Sequence, residues 1–433
     1  MSKFQTLNIK NNLNHFKSFN GLRILQICKK FPYPLKDGES IAVKFLSKAM
    51  YELGCQITLL AMNTSKHYIN VENHYNDLTH YKDIYTVEID NQINPIDAFF
   101  NLFSKDSYHV SRYVSKEFEL QLIDILNKNQ FDIIQLETLY LAPYISNIKA
   151  HSNAKIVMRS HNVEFEIWDR IVLNSNHLIK KYYIKYLAKK LKTFELDQLN
   201  KWDYCLGITA RDLEKYKSLG MRKPSMVCPI GLDISDYMAN GECFKKPLEI
   251  SFIGSLDWMP NIEALDWFLN EVWEKLILKL PNIRFHIAGR NTPDKIKKLN
   301  SESIIIHGEV DSAIDFINSY PIMMVPILSG GGMRAKILEG MALGKVVITT
   351  SIGLEGIDAT DFEHVLIANS PNEFVQKMEW AENNLSELLS IGQRAQVFVA
   401  KHFDNYSIAN SVINQYFMLV GKENHKLEAS FSL

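Results

Sequence analysis

The chain reads as an α/β protein of two doubly wound parallel-sheet domains facing a cleft, and three observations predict it. Its 433 residues exceed one ordinary core, since a domain takes roughly 150 residues. Apolar runs of strand length alternate with segments of helical period through both halves. Between Lys223 and Lys246, prolines, glycines and Gly231-Leu232-Asp233 interrupt any period, as a linker does.

Leu22 to Cys28 is an apolar run broken by Phe31-Pro32-Tyr33-Pro34 and Gly38, which predicts a buried strand entering a loop. From Ile41 to Leu53 the positions Ala42, Phe45, Leu46, Ala49, Met50 and Leu53 recur at helical spacing, and Gly54 closes the helix. Gln56 to Met62 is the next strand, with similar strands at Phe131 to Leu136 and Lys155 to Met158. The second half gives strands at Glu249 to Ile253, Arg284 to Ala288, Ile304 to His307, Met323 to Val325 and Val346 to Thr349. Its helices span Glu263 to Leu278, with Leu265, Phe268, Leu269, Val272, Trp273 and Leu276 in one stripe, and Arg334 to Ala342. The expected divisions are a polar lead 1–20, a first domain 21–225, a linker 226–247, a second domain 248–405, and a helix and tail 406–433 that returns to the first domain. Ligands of open α/β sheets bind at the carboxyl ends of the strands.

The hydrophobic fraction of 46% and charged fraction of 22% are those of a globular protein. With 48 Lys plus Arg against 49 Asp plus Glu, the balance gives no reason to expect nucleic acid as a partner. No apolar run approaches the roughly 18 residues that cross a bilayer, and the N-terminus lacks a signal-peptide core, so a cytoplasmic protein is expected. The five cysteines show no CxxC spacing, which suggests neither a zinc site nor a disulfide framework.

The stretch Pro326 to Lys345 carries the most chemistry. A strand ends in Gly330-Gly331-Gly332 and a helix opens just after, so free N–H groups and the positive end of the helix dipole point at one place, which suits a diphosphate. Lys336 and Glu339, three apart on one helix face, present a cation and a carboxylate to the same ligand, a phosphate and a ribose diol. Arg334 lies about 200° round the axis from Lys336 on a regular helix and shares the site only if it belongs to the loop. The bland reading of the segment is a glycine turn before a solvated Lys/Glu pair.

The run Glu339-Gly340-Met341-Ala342-Leu343-Gly344-Lys345-Val346-Val347 resembles the E-x-M-A-x-G-x-P-V-V motif of the retaining glycosyltransferases of family four, which have the GT-B fold of two Rossmann-like domains. Phe252 to Asn261 looks like the opening of that family's donor domain, Pro229-Ile230-Gly231-Leu232-Asp233 is similar to its P-N-G-V-D, and Ser351 to Ile357 resembles a later loop. The resemblance spans about residues 21 to 420. It implies a nucleoside-diphosphate sugar as donor substrate, no cofactor, and donor contacts at Gly38, Gly254, Val310, Gly331, Gly332, Arg334, Lys336 and Glu339. Val310 would hold the base through main-chain groups. The family's two glutamates survive only as Glu339, because Gly331 stands at the earlier place, and Ser255-Leu256-Asp257-Trp258 replaces its usual Arg and Lys. The loop resembles a branch with G-G-G-x-R-x-K-I-L-E, where Lys336 and Arg334 would neutralise the diphosphate and N–H groups of Gly331 and Gly332 would read sugar hydroxyls.

Arg159-Ser160-His161-Asn162-Val163-Glu164 resembles the R-x-H-N-V-E of the same branch, which implies His161 as a catalytic group at the reacting sugar; without the resemblance a hydrogen-bonded structural His is the commoner reading. Gly38 looks like the family's phosphate-approaching glycine, with Asp37 where a second glycine is usual. Glu137, at a strand end, reads equally as a general base for an acceptor hydroxyl and as a helix cap. No Asp-x-Asp pair occurs, so a metal-free transfer to an acceptor hydroxyl, with retention, is expected in polysaccharide or glycan assembly. A GT-B nucleotide-sugar epimerase and a non-catalytic nucleotide-sugar-binding protein are the rivals. A dinucleotide dehydrogenase is disfavoured, because Phe31-Pro32-Tyr33-Pro34 stands where G-x-G-x-x-G is required. From Lys180 to Leu199 the apolar positions Ile184, Leu187, Leu191 and Phe194 run beside six lysines and Tyr182, Tyr183 and Tyr186. Two readings follow: packing on the first sheet, or peripheral contact with an anionic membrane bearing a lipid-linked acceptor.

Overall fold

A computed structural model describes residues 5–7, 21–35, 38–92, 94, 100–101, 104, 106–173, 178–329 and 332–422. The expectations placed on Asp37, Gly331, most of the polar lead and the last eleven residues lie outside these. The chain divides into two compact units, residues 1–230 with 405–433 and residues 231–404. Of the segment expected as a linker, 226–230 falls in the first unit. Gly231 onward falls in the second, where the short turns Ile234–Asp236 and Gly241–Lys245 organise it.

The first unit holds strands β1 (Gln5–Leu7), β2 (Arg23–Cys28), β3 (Gln56–Thr64), β4 (Tyr81–Ile89), β5 (Ile133–Leu136), β6 (Lys155–Ser160), β7 (Tyr204–Gly207) and β8 (Ser225–Val227). They form one sheet in the order β1-β4-β3-β2-β5-β6-β7-β8, parallel except for the antiparallel pair of β1 and β4. Strands covered on both faces read as mostly apolar runs, and β2 and β5 do so apart from the buried Gln26 and Gln135. In β4 the residues Lys82, Asp83 and Glu88 interrupt the buried Tyr81, Ile84, Val87 and Ile89, so the strand signal is weaker there. The helix Gly38–Glu52 packs Val43, Leu46, Ala49 and Met50 on one face of the sheet. Beside it, the helix Asn405–Val420 adds Ile408, Val412, Ile413 and Tyr416 to the same core. In the helix Leu178–Gln198, Ile184, Leu187 and Leu191 turn inward and are buried, while Tyr182, Lys185 and Lys189 are exposed. The apolar stripe thus belongs to the protein core, and no helix among the described residues is long and apolar enough to cross a membrane.

The second unit holds β9 (Glu249–Ile253), β10 (Arg284–Ala288), β11 (Ile304–Gly308), β12 (Ile322–Val325), β13 (Val346–Thr349) and β14 (Leu366–Ile367), all parallel, in the order β11-β10-β9-β12-β13-β14. Both units are therefore Rossmann-like, with a switch point between β2 and β5 in one and between β9 and β12 in the other. The helix expected from Glu263 to Leu278 is Met259–Trp267, then a π-helical turn Phe268–Trp273, then Glu274–Lys279. Its stripe residues Leu265, Phe268, Val272, Trp273 and Leu276 are buried, and Phe268 meets Phe285 and Phe374 edge-on, with centroids 5.2 and 5.9 Å away.

Phe268 is fully buried among aromatic rings, so Phe268→Ala leaves a cavity as well as losing transfer energy. The expected loss is about 3–5 kcal/mol, read from the urea unfolding midpoint. A loss below about 1 kcal/mol would show that the core there collapses around the gap.

Candidate functional site

In the second unit the flagged residues gather at the switch point. Gly254 follows β9, Pro326 to Ser329 follow β12, and Gly332 to Arg334 precede the helix Ala335–Ala342. Arg334 precedes the helix in an extended conformation, so it belongs to the loop, and its guanidinium donates to Gly332 O. Gly332 has φ +76, a conformation that favours glycine. Lys336 Nζ donates to Asn261 Oδ1 at 2.7 Å and Ile253 O at 3.1 Å, and stands 5.1 Å over the Phe252 ring. A Cβ at Gly254 would lie 2.7 Å from that Nζ and 2.9 Å from Asn261 Nδ2, so the glycine makes room for the ammonium. Gly289, just after β10, is needed for a backbone approach: its Cβ would meet Gly254 O at 2.1 Å. Val310, just past β11, is half-buried.

Loss of hydration lowers the Lys336 pKa to about 7, with the Arg334 charge adding to the shift and Glu339 opposing it. Burial raises the Glu339 carboxyl, against the hydrogen bond from Tyr237 and the Lys336 charge. Tyr237 Oη donates to Glu339 Oε1 at 3.1 Å. Tyr237 and Gly289 escaped the sequence reading, and Asn261 entered it only as the end of the Phe252 stretch, because each lies far along the chain from Lys336 and Glu339. Ser329, beside the glycine loop, donates to Glu263, so a carboxylate from another helix stands at that loop.

In the first unit Glu137 follows β5 and His161 follows β6, again at carboxyl ends. The expectation that Glu137 emerges to meet an acceptor hydroxyl is corrected here: its side chain is fully buried. Oε1 accepts from Gln26 Nε2 at 2.6 Å and from Gln135 Nε2; Oε2 accepts from Arg159 Nη1 at 3.4 Å and His161 Nε2 at 3.2 Å. Burial alone would raise its pKa, but the Arg159 charge and the bonds from His161 and Gln26 hold it down at about 2. An ionised carboxylate only accepts, so His161 Nε2 carries its proton toward Glu137, which fixes the ring and leaves Nδ1 for other contacts. Glu137 is a positioning residue for His161.

The His161 turn is held from the other side as well. Ser160 Oγ donates to Asn162 O at 2.8 Å, Tyr216 Oη reaches Asn162 O at 3.0 Å, and Tyr216 Oη meets Glu195 Oε1 at 2.6 Å. Glu195 accepts the backbone N–H groups of Glu164 and Phe165 and so caps the helix Glu164–Leu173. Burial brings the Glu195 carboxyl up to about 7, with the Glu164 charge adding to the shift and Tyr216 and those N–H groups opposing it. Gly38 opens the helix Gly38–Glu52 after the β2 loop. Among the described residues, no three His, Cys, Asp or Glu side chains gather to hold a metal.

Residues 247–384 match the family described as Glycosyl transferases group 1, which makes the core of the second unit a domain of the glycosyltransferase class. A relative from Klebsiella pneumoniae, described as an uncharacterized 44.6 kDa protein in a cps region, is 26% identical over 302 residues, 67% of this chain and 75% of its own. The fold is similar to that of Anabaena Alr3699/HepE in complex with UDP-glucose, with a TM-score of 0.61 and 12% identity over 91% of this chain and 99% of that one. It is also similar to an S. aureus TarM variant in complex with fondaparinux, alpha-GlcNAc-glycerol and UDP, with a TM-score of 0.66 and 12% identity over 91% and 99% of the two chains. The likeness to these structures covers both Rossmann-like units and is one of fold.

Folded Lys336 loses its proton near pH 7, whereas in the unfolded chain it does so near its ordinary 10.5. Between these values the unfolded chain binds a proton the folded one lacks, so the Lys336 contribution to stability rises with pH and is lost as pH falls through about 7. The stability of wild type relative to Lys336→Met is expected to increase from about pH 6 to about pH 9, measured by urea unfolding. A flat difference would mean that Lys336 titrates as a solvated lysine.

Proposed function

We propose that the protein transfers a sugar from a nucleoside-diphosphate sugar to an acceptor hydroxyl with retention of configuration, in the assembly of a cell-surface polysaccharide or glycan in the cytoplasm. The observation that carries this reading is Lys336, a half-buried amine held at the sheet's switch point by Ile253 O and Asn261, with Arg334 and Glu339 beside it. A cation that has already lost much of its hydration interacts strongly with a leaving diphosphate, whose negative charge grows in the transition state. The glycosyl transferases group 1 match and the UDP-bound folds support that ligand class. Glu339 takes the ribose diol, exchanging its contact with Tyr237 for the ligand. Gly254 and Val310 supply main-chain approach, as do the glycines of the loop including Gly331. Gly38 serves a phosphate contact from the first unit. His161 is the catalytic group of the first unit, oriented by Glu137. The acceptor is a glycan or a lipid-linked glycan. Any membrane contact of the helix Leu178–Gln198 runs through exposed Tyr182, Tyr186, Lys185 and Lys189, because the apolar stripe is buried.

Lys336→Ala and Glu339→Ala are expected to weaken nucleoside-diphosphate binding at least about tenfold with the fold intact, a loss of about 1.4 kcal/mol or more in calorimetric titration. His161→Ala is expected to lower turnover far more than donor affinity, the pattern of a group acting on the reacting atoms. Unchanged affinity in both second-unit variants would remove the donor site. Turnover without any acceptor would favour the epimerase.

Transfer is proposed to need no metal, the charge on the diphosphate being met by Lys336, Arg334 and aimed N–H groups. Activity is expected to persist in excess chelator. Loss in chelator with recovery in magnesium or manganese would overturn this.

A further inference from the structure

Away from the residues assigned above, one pair of side chains places a nucleophilic nitrogen against an oxidisable sulfur. Lys345 enters β13 just after Gly344, and its side chain is among the largest fully buried in the chain. Its Nζ donates to Asn240 O and lies 3.3 Å from Cys243 Sγ. Cys243 sits in the turn Gly241–Lys245, capped by the Asn240 side chain, which accepts from Glu242 N at 2.9 Å. A cavity of about 300 Å³ lies beside Cys243, lined by Asn240, Cys243, Lys246, Asp315 and Asn318 among others. A small oxidant entering that cavity meets the residue whose sulfur already touches an amine. Cys243 is buried, as are the other four cysteines, Cys28, Cys55, Cys205 and Cys228, which lie in the first unit and not in the second.

We propose that Cys243 and Lys345 form a redox pair that a hydroperoxide closes into a covalent sulfur–nitrogen link. In the first step Sγ takes the terminal peroxide oxygen, the O–O bond breaks, and an alcohol or water leaves. The sulfur loses two electrons and the peroxide gains them, giving a sulfenic acid. In the second step the Nζ lone pair attacks Sγ, the S–O bond breaks, and the hydroxide departs with an amine proton as water. No electrons move between partners in this step. The sulfenic acid meets a nitrogen held in contact before a second oxidant arrives, which protects it from over-oxidation. Burial lowers the Lys345 pKa, against the influence of Cys243, and so favours the neutral amine that carries the lone pair. A free thiol reopens the link by attacking the sulfur.

The link pins the segment around Asn240 to the start of β13. That segment is already tied to a neighbouring helix, since Asn318 donates to Met238 O at 3.0 Å and accepts from Asn240 N at 3.2 Å. It also carries Tyr237, the partner of Glu339. Any effect of the link on turnover rests on the donor-site reading; formation of the link does not.

The experiment treats the full chain with hydrogen peroxide, quenches it, digests it without reductant and reads the peptides by mass spectrometry. The expected product joins the Cys243 peptide to the Lys345 peptide, two hydrogens lighter than their sum, and dithiothreitol separates it. It is absent from Cys243→Ser and from Lys345→Arg, which keeps the charge but lacks the amine. In the same samples, amide exchange in the Tyr237 to Lys246 segment is expected to slow on oxidation of wild type only. Cys243 recovered as free thiol, or with its added oxygen retained and no joined peptide, would overturn the proposal, whatever the outcome of the donor-binding experiments.

Discussion

A carboxylate without solvent needs other groups to hold its charge, and the first unit is arranged around one. Glu137 collects Gln26 from β2, Gln135 from β5, and Arg159 and His161 from β6 and the turn after it. The ring of partners extends outward: Tyr81 of β4 donates to Gln26, Tyr416 of the last helix donates to Gln135, and Arg159 donates to Ala42 O of the first helix. Removing one partner from such a group leaves a buried charge exposed to a low dielectric, so these elements are fixed together more firmly than apolar packing alone requires. The consequence is one oriented imidazole, its side chain only 9% exposed. Burial is what makes Glu137 useful to His161 and what keeps it from an acceptor.

The second unit meets a related constraint with an amine. Lys336 is drawn toward Ile253 O and Asn261 by hydrogen bonds that replace water, and it fits only because Gly254 has no side chain. Gly254 is in turn approached by Gly289 across the strand pair, so two glycines on adjacent strands set the space in which one cation stands. A lysine arranged this way keeps its charge weakly at neutral pH and regains it when an anion arrives. The site thus couples ligand charge to protonation, whereas in the first unit the charge of Glu137 is permanent.

Much of this was legible in the residues. The strand-loop-helix alternation predicted both parallel sheets, and the glycine run before Ala335 with Lys336 and Glu339 on one helix face marked the switch point of the second sheet. The β4 strand was harder to see, because its charged residues break the apolar run that a fully covered strand shows. The helix Leu178–Gln198 left two readings open, since an apolar stripe on a basic helix fits both a sheet, the commoner case, and a membrane; the packing of Ile184, Leu187 and Leu191 assigns that stripe to the core. Arg334 was undecided on helical geometry alone, and the start of the helix at Ala335 places it in the loop.

The sequence by itself determined the architecture and the local chemistry of each loop, because strand and helix periods and glycine clusters are properties of neighbours along the chain. Tertiary structure alone decided which groups share a charge. Glu137 lies over a hundred residues from Gln26, Tyr237 is likewise distant from Glu339, and Cys243 is distant from Lys345. Parallel sheets bring such residues together by order of strands rather than by order of sequence. Solvent exclusion then sets how strongly they interact, and neither quantity is carried by any local stretch of the chain.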